Sequence, residues 1–133
     1  MATPTHTLIH QTTLSSSAST VSIGSINSLY RDLYFVANGS VTTGDTAITM
    51  RLNGDSSQVY SFLRFSAQGN TYSSGSGTFN EFYPADRANW YSGYTSNISI
   101  HFLEANQSNK QKIGLVRNIS APLWNCRLTW EWN

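Results

Sequence analysis

The sequence predicts an all-β domain of roughly eight antiparallel strands. Three observations carry that prediction: a hydrophobic period of two residues along most of the chain, turn dipeptides between the alternating runs, and no 11-residue window with helical i, i+3, i+4, i+7 apolar spacing. Strands separated this regularly suit an antiparallel sandwich or barrel. Composition agrees. The chain holds 20 Ser, 14 Thr and 12 Asn, with 13% aromatic and 39% hydrophobic residues to fill a core. Charged residues make up 11%, against roughly 25% in an average soluble domain.

Taken in order, Thr7 to Thr12 and Thr20 to Ile23 read as weak strands, with Ser15-Ser16-Ser17-Ala18-Ser19 as a flexible turn between them. Asp32 to Ala37 follows, then turn clusters at Asn38-Gly39 and Thr43-Gly44-Asp45. Ile48, Met50 and Leu52 alternate with Thr49 and Arg51, and Asn53-Gly54-Asp55 then reads as a hairpin turn with Asx bonds to the local backbone. The run Val59 to Phe65 is apolar on both faces at one end, which marks a central or interface strand. Gly69-Asn70 and Ser92-Gly93 are further turns.

Residues 66–93 break the rhythm, mixing Gly69, Gly75, Gly77 and Gly93 with Tyr72, Phe79, Phe82, Tyr83, Trp90 and Tyr91. They are expected to form a long aromatic and Gly-rich loop, functional or concealing short strands. Ile98, Ile100 and Phe102 then alternate with Ser99 and His101, and Lys112 to Arg117 is a weaker strand. The clearest strand is the last. Trp124, Cys126, Leu128, Trp130 and Trp132 alternate with Asn125, Arg127, Thr129 and Glu131, predicting a core strand over 124–132 with Leu128 and Trp130 pointing inward. Residues 1–133 fit one domain, with 1–6 read as an N-terminal arm against the alternative of a plain chain terminus.

Net charge +1 with two Lys leaves no surface able to neutralise phosphates, so nucleic acid is not an expected partner. No apolar run approaches the 18 or so residues of a membrane-spanning helix, and no membrane partner is expected. Cys126 stands alone, which excludes an internal disulfide and leaves any metal cluster without a second thiolate; a small buried hydrophobe is its plainest role. Met1-Ala2-Thr3-Pro4-Thr5 lacks the basic and apolar regions of a signal peptide, so synthesis in a cytoplasm without Sec-type export is expected.

Three sets of residues are candidates for chemistry. His6 and His10, four apart on an expected strand, have no nearby Cys or carboxylate to complete a metal site, and with His101 they read as satisfied or surface histidines. Glu81 and Asp86, beside Trp90 and Tyr91, form the best candidate for a glycosidase pair; the competing account has them pair with Arg87 or cap a turn. Asn53-Gly54-Asp55-Ser56 lacks the further ligands of a calcium loop. Sequons at Asn38, Asn97, Asn106 and Asn118 carry little weight in a chain this rich in Asn and Ser. The expectation is a non-enzymatic protein with no catalytic residue, cofactor or metal.

One set of segments has a family likeness. Thr5-His6-Thr7-Leu8-Ile9, Leu14-Ser15-Ser16-Ser17-Ala18, Val21-Ser22-Ile23, Ser25-Ile26, Tyr30-Arg31-Asp32-Leu33, and Arg51-Leu52-Asn53-Gly54-Asp55 before Tyr60 together resemble small virion proteins of tailed bacteriophages, many from phages of aquatic bacteria. The resemblance covers about the first 65 residues, and it departs at Ile23, where Phe is common, and at Asn27, where Pro is common. It implies a jelly-roll-like antiparallel β-sandwich of eight strands, located in the virion after synthesis in the host cytoplasm. The implied function is a capsid decoration (cement) protein, homo-oligomeric and docked on the major capsid protein or other virion proteins. The alternative is a fibre or tail receptor-binding module holding host surface glycan on Tyr83, Trp90 and Tyr91. Expected partner-binding residues are Tyr72, Tyr83, Trp90 and Tyr91, since Tyr and Trp are enriched at interface cores, with Pro4 and Thr5 in the arm. Phe79 and Phe82 are expected to close the sandwich. With so little charge, attachment should be nearly insensitive to salt.

Overall fold

The computed structural model describes residues 6–57, 60–68, 71–107, 112–120 and 126–132; at 45–46, 66–68, 85–89, 91, 120 and 126–132 the description is of the backbone. Eight strands run in chain order: β1 (Leu33–Gly39), β2 (Asp45–Met50), β3 (Tyr60–Gln68), β4 (Thr71–Phe79), β5 (Phe82–Tyr91), β6 (Ser96–Leu103), β7 (Lys112–Ser120) and β8 (Cys126–Trp132). Six form one sheet in the order β1-β6-β7-β8-β3-β4, and β2 and β5 form a two-stranded ribbon. Every pairing between strands is antiparallel, and no helix occurs among the described residues. The all-β, antiparallel expectation holds.

The period-two pattern sets which face is buried. On β6, buried Ser96, Ile98, Ile100 and Phe102 alternate with half-buried Asn97, Ser99, His101 and Leu103. Register carries that phase across the sheet, so that Phe35, Ile100, Val116, Leu128, Arg64 and Gly75 occupy one row. Strand β5 crosses β6, β7 and β8 on this inner face. Tyr60, Phe82, Trp90, Ile98, Ile100, Phe102 and Val116 form the resulting core, flanked by Leu33, Phe35, Ile48, Met50, Phe62, Phe79 and Tyr83. Each fully buried side chain of this size contributes about 1.5–3 kcal/mol of transfer free energy. Strand β8 pairs on both sides, with β7 and β3, so the last expected strand is central; Trp124 and Asn125 lie outside the described residues.

Four expectations need correction. Residues 6–32 contain no strand, and residues 6–29 are exposed throughout. The alternation expected over Thr7 to Thr12 and Thr20 to Ile23 is present, but a strand needs a neighbour for its backbone groups, and no described strand pairs with either run. Residues 66–93 are no loop, because β4 and β5 both fall wholly within them. Gly75 and Gly77 were the misleading signal. They sit in β4 beneath β3 side chains: a Cβ on Gly77 would stand 2.9 Å from Phe62 Cε1, and one on Gly75 would stand 3.4 Å from Arg64 Nη2. Cross-strand cover of this kind is one reason for glycine inside a strand.

Asn38-Gly39 is likewise no turn but the end of β1, opposite Asn97 and Ser96, with the Asn97 amide donating to Asn38 Oδ1. The Trp90 ring lies over Gly39, with Cζ3 3.3 Å from where a Cβ would stand. Asn53-Gly54 does turn, yet it closes no hairpin, since β2 and β3 belong to different sheets. Both residues have positive φ, 53° and 71°, and the Asp55 amide donates to Leu52 O at 3.0 Å, the geometry of a type I′ turn. The expected Asx bonds are there, with the Asp55 carboxylate accepting the Ser57 amide at 2.8 Å and the Ser57 hydroxyl at 2.6 Å. Those bonds, the hydroxyl first, hold the Asp55 carboxyl below its ordinary range.

Candidate assembly surface

Among the described residues, none forms a second layer over the outer face of the six-stranded sheet. Register orders it into rows. Tyr34, His101, Leu115, Thr129, Leu63 and Ser76 cross all six strands in one row, and Val36, Ser99, Arg117, Arg127, Phe65 and Ser74 make the next. Ile113 and Ile119 flank these rows on β7, and Tyr72 lies beyond them on β4. Tyr34, Val36, Leu63, Phe65, Tyr72, Ile113, Leu115 and Ile119 are all exposed, with Phe65 at 57% and Tyr72 at 81%. Single exposed apolar side chains are ordinary, but eight collected on one sheet face are not.

Few charged residues stand at its register positions: Arg117 opposite Arg127 on β7 and β8, and Glu131 opposite Ile113. Its two edges are β1 and β4. β4 reads Thr-Tyr-Ser-Ser-Gly-Ser-Gly-Thr-Phe, with no charge and no proline to discourage pairing with another strand.

The residues expected to bind partners are dispersed by the fold. Tyr72 projects from the edge strand, opposite Ala67. Tyr83 is half-buried and packs against Phe79, ring centroids 5.1 Å apart and tilted by 60°. Trp90 is 6% exposed and belongs to the core, with its indole Nε1 buried and without a hydrogen-bond partner. It is therefore no open stacking platform, because the hydrophobic ribbon β2–β5 needs a large side chain to close over Gly39. Tyr91 pairs in register with Asp45, and its backbone is all that is described; Pro4 and Thr5 lie outside the described residues. Phe79 and Phe82 both pack at the core, as expected.

The candidate acid/base pair is also placed. Glu81 pairs with Arg51 across the base of the ribbon, and Arg51 leads into the Leu52–Asp55 turn. This accounts for Glu81 as an ion-paired carboxylate, although its partner is Arg51 where Arg87 was expected. Asp86 lies in an irregular part of β5: Thr46 is opposite Trp90 and Ile48 opposite Ala85, so β5 carries extra residues there. His10 Nε2 lies 2.7 Å from Thr12 Oγ1 on the exposed N-terminal segment. Of the sequons, Asn118 is 2% exposed, which bars a glycan at that position.

The N-terminal segment joins the sheet at a defined point. The Ala105 amide donates to Arg31 O at 2.6 Å, and the Glu104 amide donates to Asp32 Oδ1 at 2.9 Å. Asp32 also pairs with Arg31 at 2.9 Å, and these bonds, that from Glu104 first, hold its carboxyl below the ordinary range. Beyond this clasp, Leu8, Ile9, Leu14, Val21, Ile23, Ile26 and Leu29 are exposed, Leu8 at 76%.

Sequence reasoning names Tyr72 but misses the other outer-face residues, although it reads the run Val59 to Phe65 as apolar on both faces at one end. The same signal was legible in Leu33-Tyr34-Phe35-Val36 and in the alternate Ile113, Leu115 and Ile119. Comparisons of the chain with protein-family models, with curated proteins and with solved structures return no match.

Proposed function

We propose that this chain is a non-enzymatic structural protein of a tailed-phage virion, a capsid decoration protein that docks on the major capsid protein. The observation that carries the proposal is the apolar, nearly uncharged outer face of the six-stranded sheet, edged by β4 with its exposed Tyr72. A protein that works alone in water has no use for such a face; a protein that spends its life seated on a shell does. The resemblance of the first 65 or so residues to phage virion proteins names the shell. In this reading the six-stranded sheet and the ribbon are the unequal layers of a jelly-roll-like sandwich, and several copies sit together on the capsid. The glycan-holding alternative relied on Tyr83, Trp90 and Tyr91, and packing removes Trp90 and half of Tyr83 from the surface.

The test is incorporation into virions. Tyr72→Ala and the pair Leu63→Ser with Phe65→Ser should each reduce the copies retained per particle, with little change between 0.05 and 0.5 M salt, over which the Debye length falls from about 14 to about 4 Å. Copy number in the hundreds supports decoration, whereas a few to a few dozen points to a fibre or tail. Full incorporation of both variants, or detachment of the unmodified protein by salt alone, overturns the proposal.

A further inference from the structure

The N-terminal segment and the outer sheet face pose the same problem from two sides. Residues 6–29 form 24 consecutive exposed residues, seven of them Leu, Ile or Val, outside every strand and outside the core. The outer face presents eight exposed apolar side chains, and no described residue forms a layer over them. We infer that residues 6–29 of one copy lie across the outer face of the six-stranded sheet of a second copy, supplying the layer that the single chain lacks.

Four features support a second copy as the occupant. The first is size: a stable interface takes about 20–30 residues from each side, and the exposed segment has 24. Reach is the second. Six strands at about 4.8 Å spacing make a sheet roughly 24 Å wide between its outer strands, and 24 extended residues at about 3.3 Å each span close to 80 Å, enough to leave one molecule and cross the next. Charge is the third. Residues 6–30 contain no Asp, Glu, Lys or Arg, so burying them against Leu63, Phe65, Leu115 and Ile119 desolvates no ionised group of the arm.

The fourth feature is the point of departure. The clasp of Arg31 and Asp32 to Ala105 and Glu104 fixes where the arm leaves the sheet, at the β1 and β6 end, and from there residues 6–29 stay exposed and unburied by their own chain. The alternating runs Thr7 to Thr12 and Thr20 to Ile23 then have a purpose, since they become strands once a neighbour supplies partners. Exchange of arms between identical chains is reciprocal, so each contact counts twice or more in a closed oligomer. This deepens the oligomer of the proposed function, but its test needs no virion, and either can fail alone.

The test is the mass of the full chain in solution by light scattering after size exclusion, at about 50 µM, which populates any complex with a Kd near 1 µM. The unmodified chain should have at least twice its mass of 14.8 kDa. An arm variant, Leu14→Asp with Val21→Asp, and a face variant, Leu63→Ser with Phe65→Ser and Leu115→Ser, should each fall to a single chain while keeping the circular dichroism of the β-sheet. Mixing the two discriminates further: the sound arm of the face variant should occupy the sound face of the arm variant and restore a complex. A monomeric unmodified chain overturns the inference, since the arm then has no second copy to cover. So does an oligomer that survives both variants, or two folded variants that fail to associate when mixed.

Discussion

Replacing Tyr60 by Phe removes one oxygen atom from the interior of the molecule, and the structure states what depends on it. Tyr60 is fully buried at the start of β3, and its hydroxyl accepts the Leu52 amide at 3.0 Å while lying 3.1 Å from Asp55 O and 3.4 Å from Leu52 O, to which it donates. The hydroxyl thus clips the type I′ turn that carries the chain from the ribbon to the large sheet. In the variant the Leu52 amide and one carbonyl lose their partner. A buried polar group left unpaired costs about 1–3 kcal/mol, and Leu52 is half-buried, so a loss of about 2 kcal/mol is expected. With a urea m-value near 2 kcal/mol/M, that lowers the unfolding midpoint by about 1 M at unchanged m, read by tryptophan fluorescence. Tyr94→Phe, at an exposed position without such bonds, should leave the midpoint in place.

The pH dependence of the same pair of proteins provides a second reading. Burial pushes the Tyr60 phenol above its ordinary value of 10.0, against the opposing pull of the Leu52 amide. A raised phenol favours the neutral form in the folded state. Its contribution is therefore complete below pH 10 and is lost as pH rises through the folded value, because the unfolded chain ionises first. The unmodified protein should lose stability more steeply above pH 10 than Tyr60→Phe. An unchanged urea midpoint, or a steeper alkaline loss in the variant, would refute the reasoning.

Gly77→Ala should destabilise by about 1–3 kcal/mol from overpacking, offset by roughly 0.5 kcal/mol from the stiffer unfolded chain. The new Cβ meets Phe62, whose ring is stacked on Phe79 at 5.4 Å and 13° and has little room to retreat. Phe62→Leu in the same chain should recover part of the loss in urea unfolding, and Gly24→Ala, in open space, should show none of it. At the base of the arm, the depressed Asp32 carboxyl stabilises the clasp above its ordinary value of 3.8, and that contribution disappears as pH falls through the lower folded value. Hydrogen exchange at the Glu104 amide should accordingly lose protection in acid in the unmodified chain, lose it at every pH in Asp32→Ala, and keep a pH-independent remnant in Asp32→Asn; full protection in the alanine variant would show that the clasp is not what orders this corner.

Much of the fold was legible because burial writes itself into alternation. Ile98, Ile100 and Phe102 were read as one face and are the buried face of β6, and Asn53-Gly54-Asp55 was read as a turn and is one. The failures have a common cause. Gly75, Gly77 and Gly39 read as signals of irregular backbone, whereas Gly75 and Gly77 answer to Arg64 and Phe62 opposite them on β3, and Gly39 answers to the Trp90 ring from the ribbon. Local sequence cannot distinguish a glycine that bends the chain from one that makes room, since the second depends on a residue brought over it by register or by the other sheet. Trp90 shows the converse. Among aromatics and glycines it read as a surface ring, and only the crossing of β5 over the sheet brings it to 6% exposure.

The assembly surface was legible in outline for a different reason. Period two establishes that a segment is extended; it says nothing about which chain supplies the partner. Over β6 and β7 the partner is the same molecule, and alternation became strand. Over Thr7 to Thr12 and Thr20 to Ile23 the pattern is the same kind, with Leu8, Val21 and Ile23 left in solvent. An apolar pattern that the chain does not bury is either an accident of composition or half of an interface. Accident is hard to reconcile with its coincidence with a sheet face on which Tyr34, Leu63, Phe65 and Leu115 are likewise exposed. In a chain with 11% charged residues, neither surface has the electrostatics to remain dispersed by repulsion, and covering one with the other leaves the Ser, Thr and Asn positions to face water.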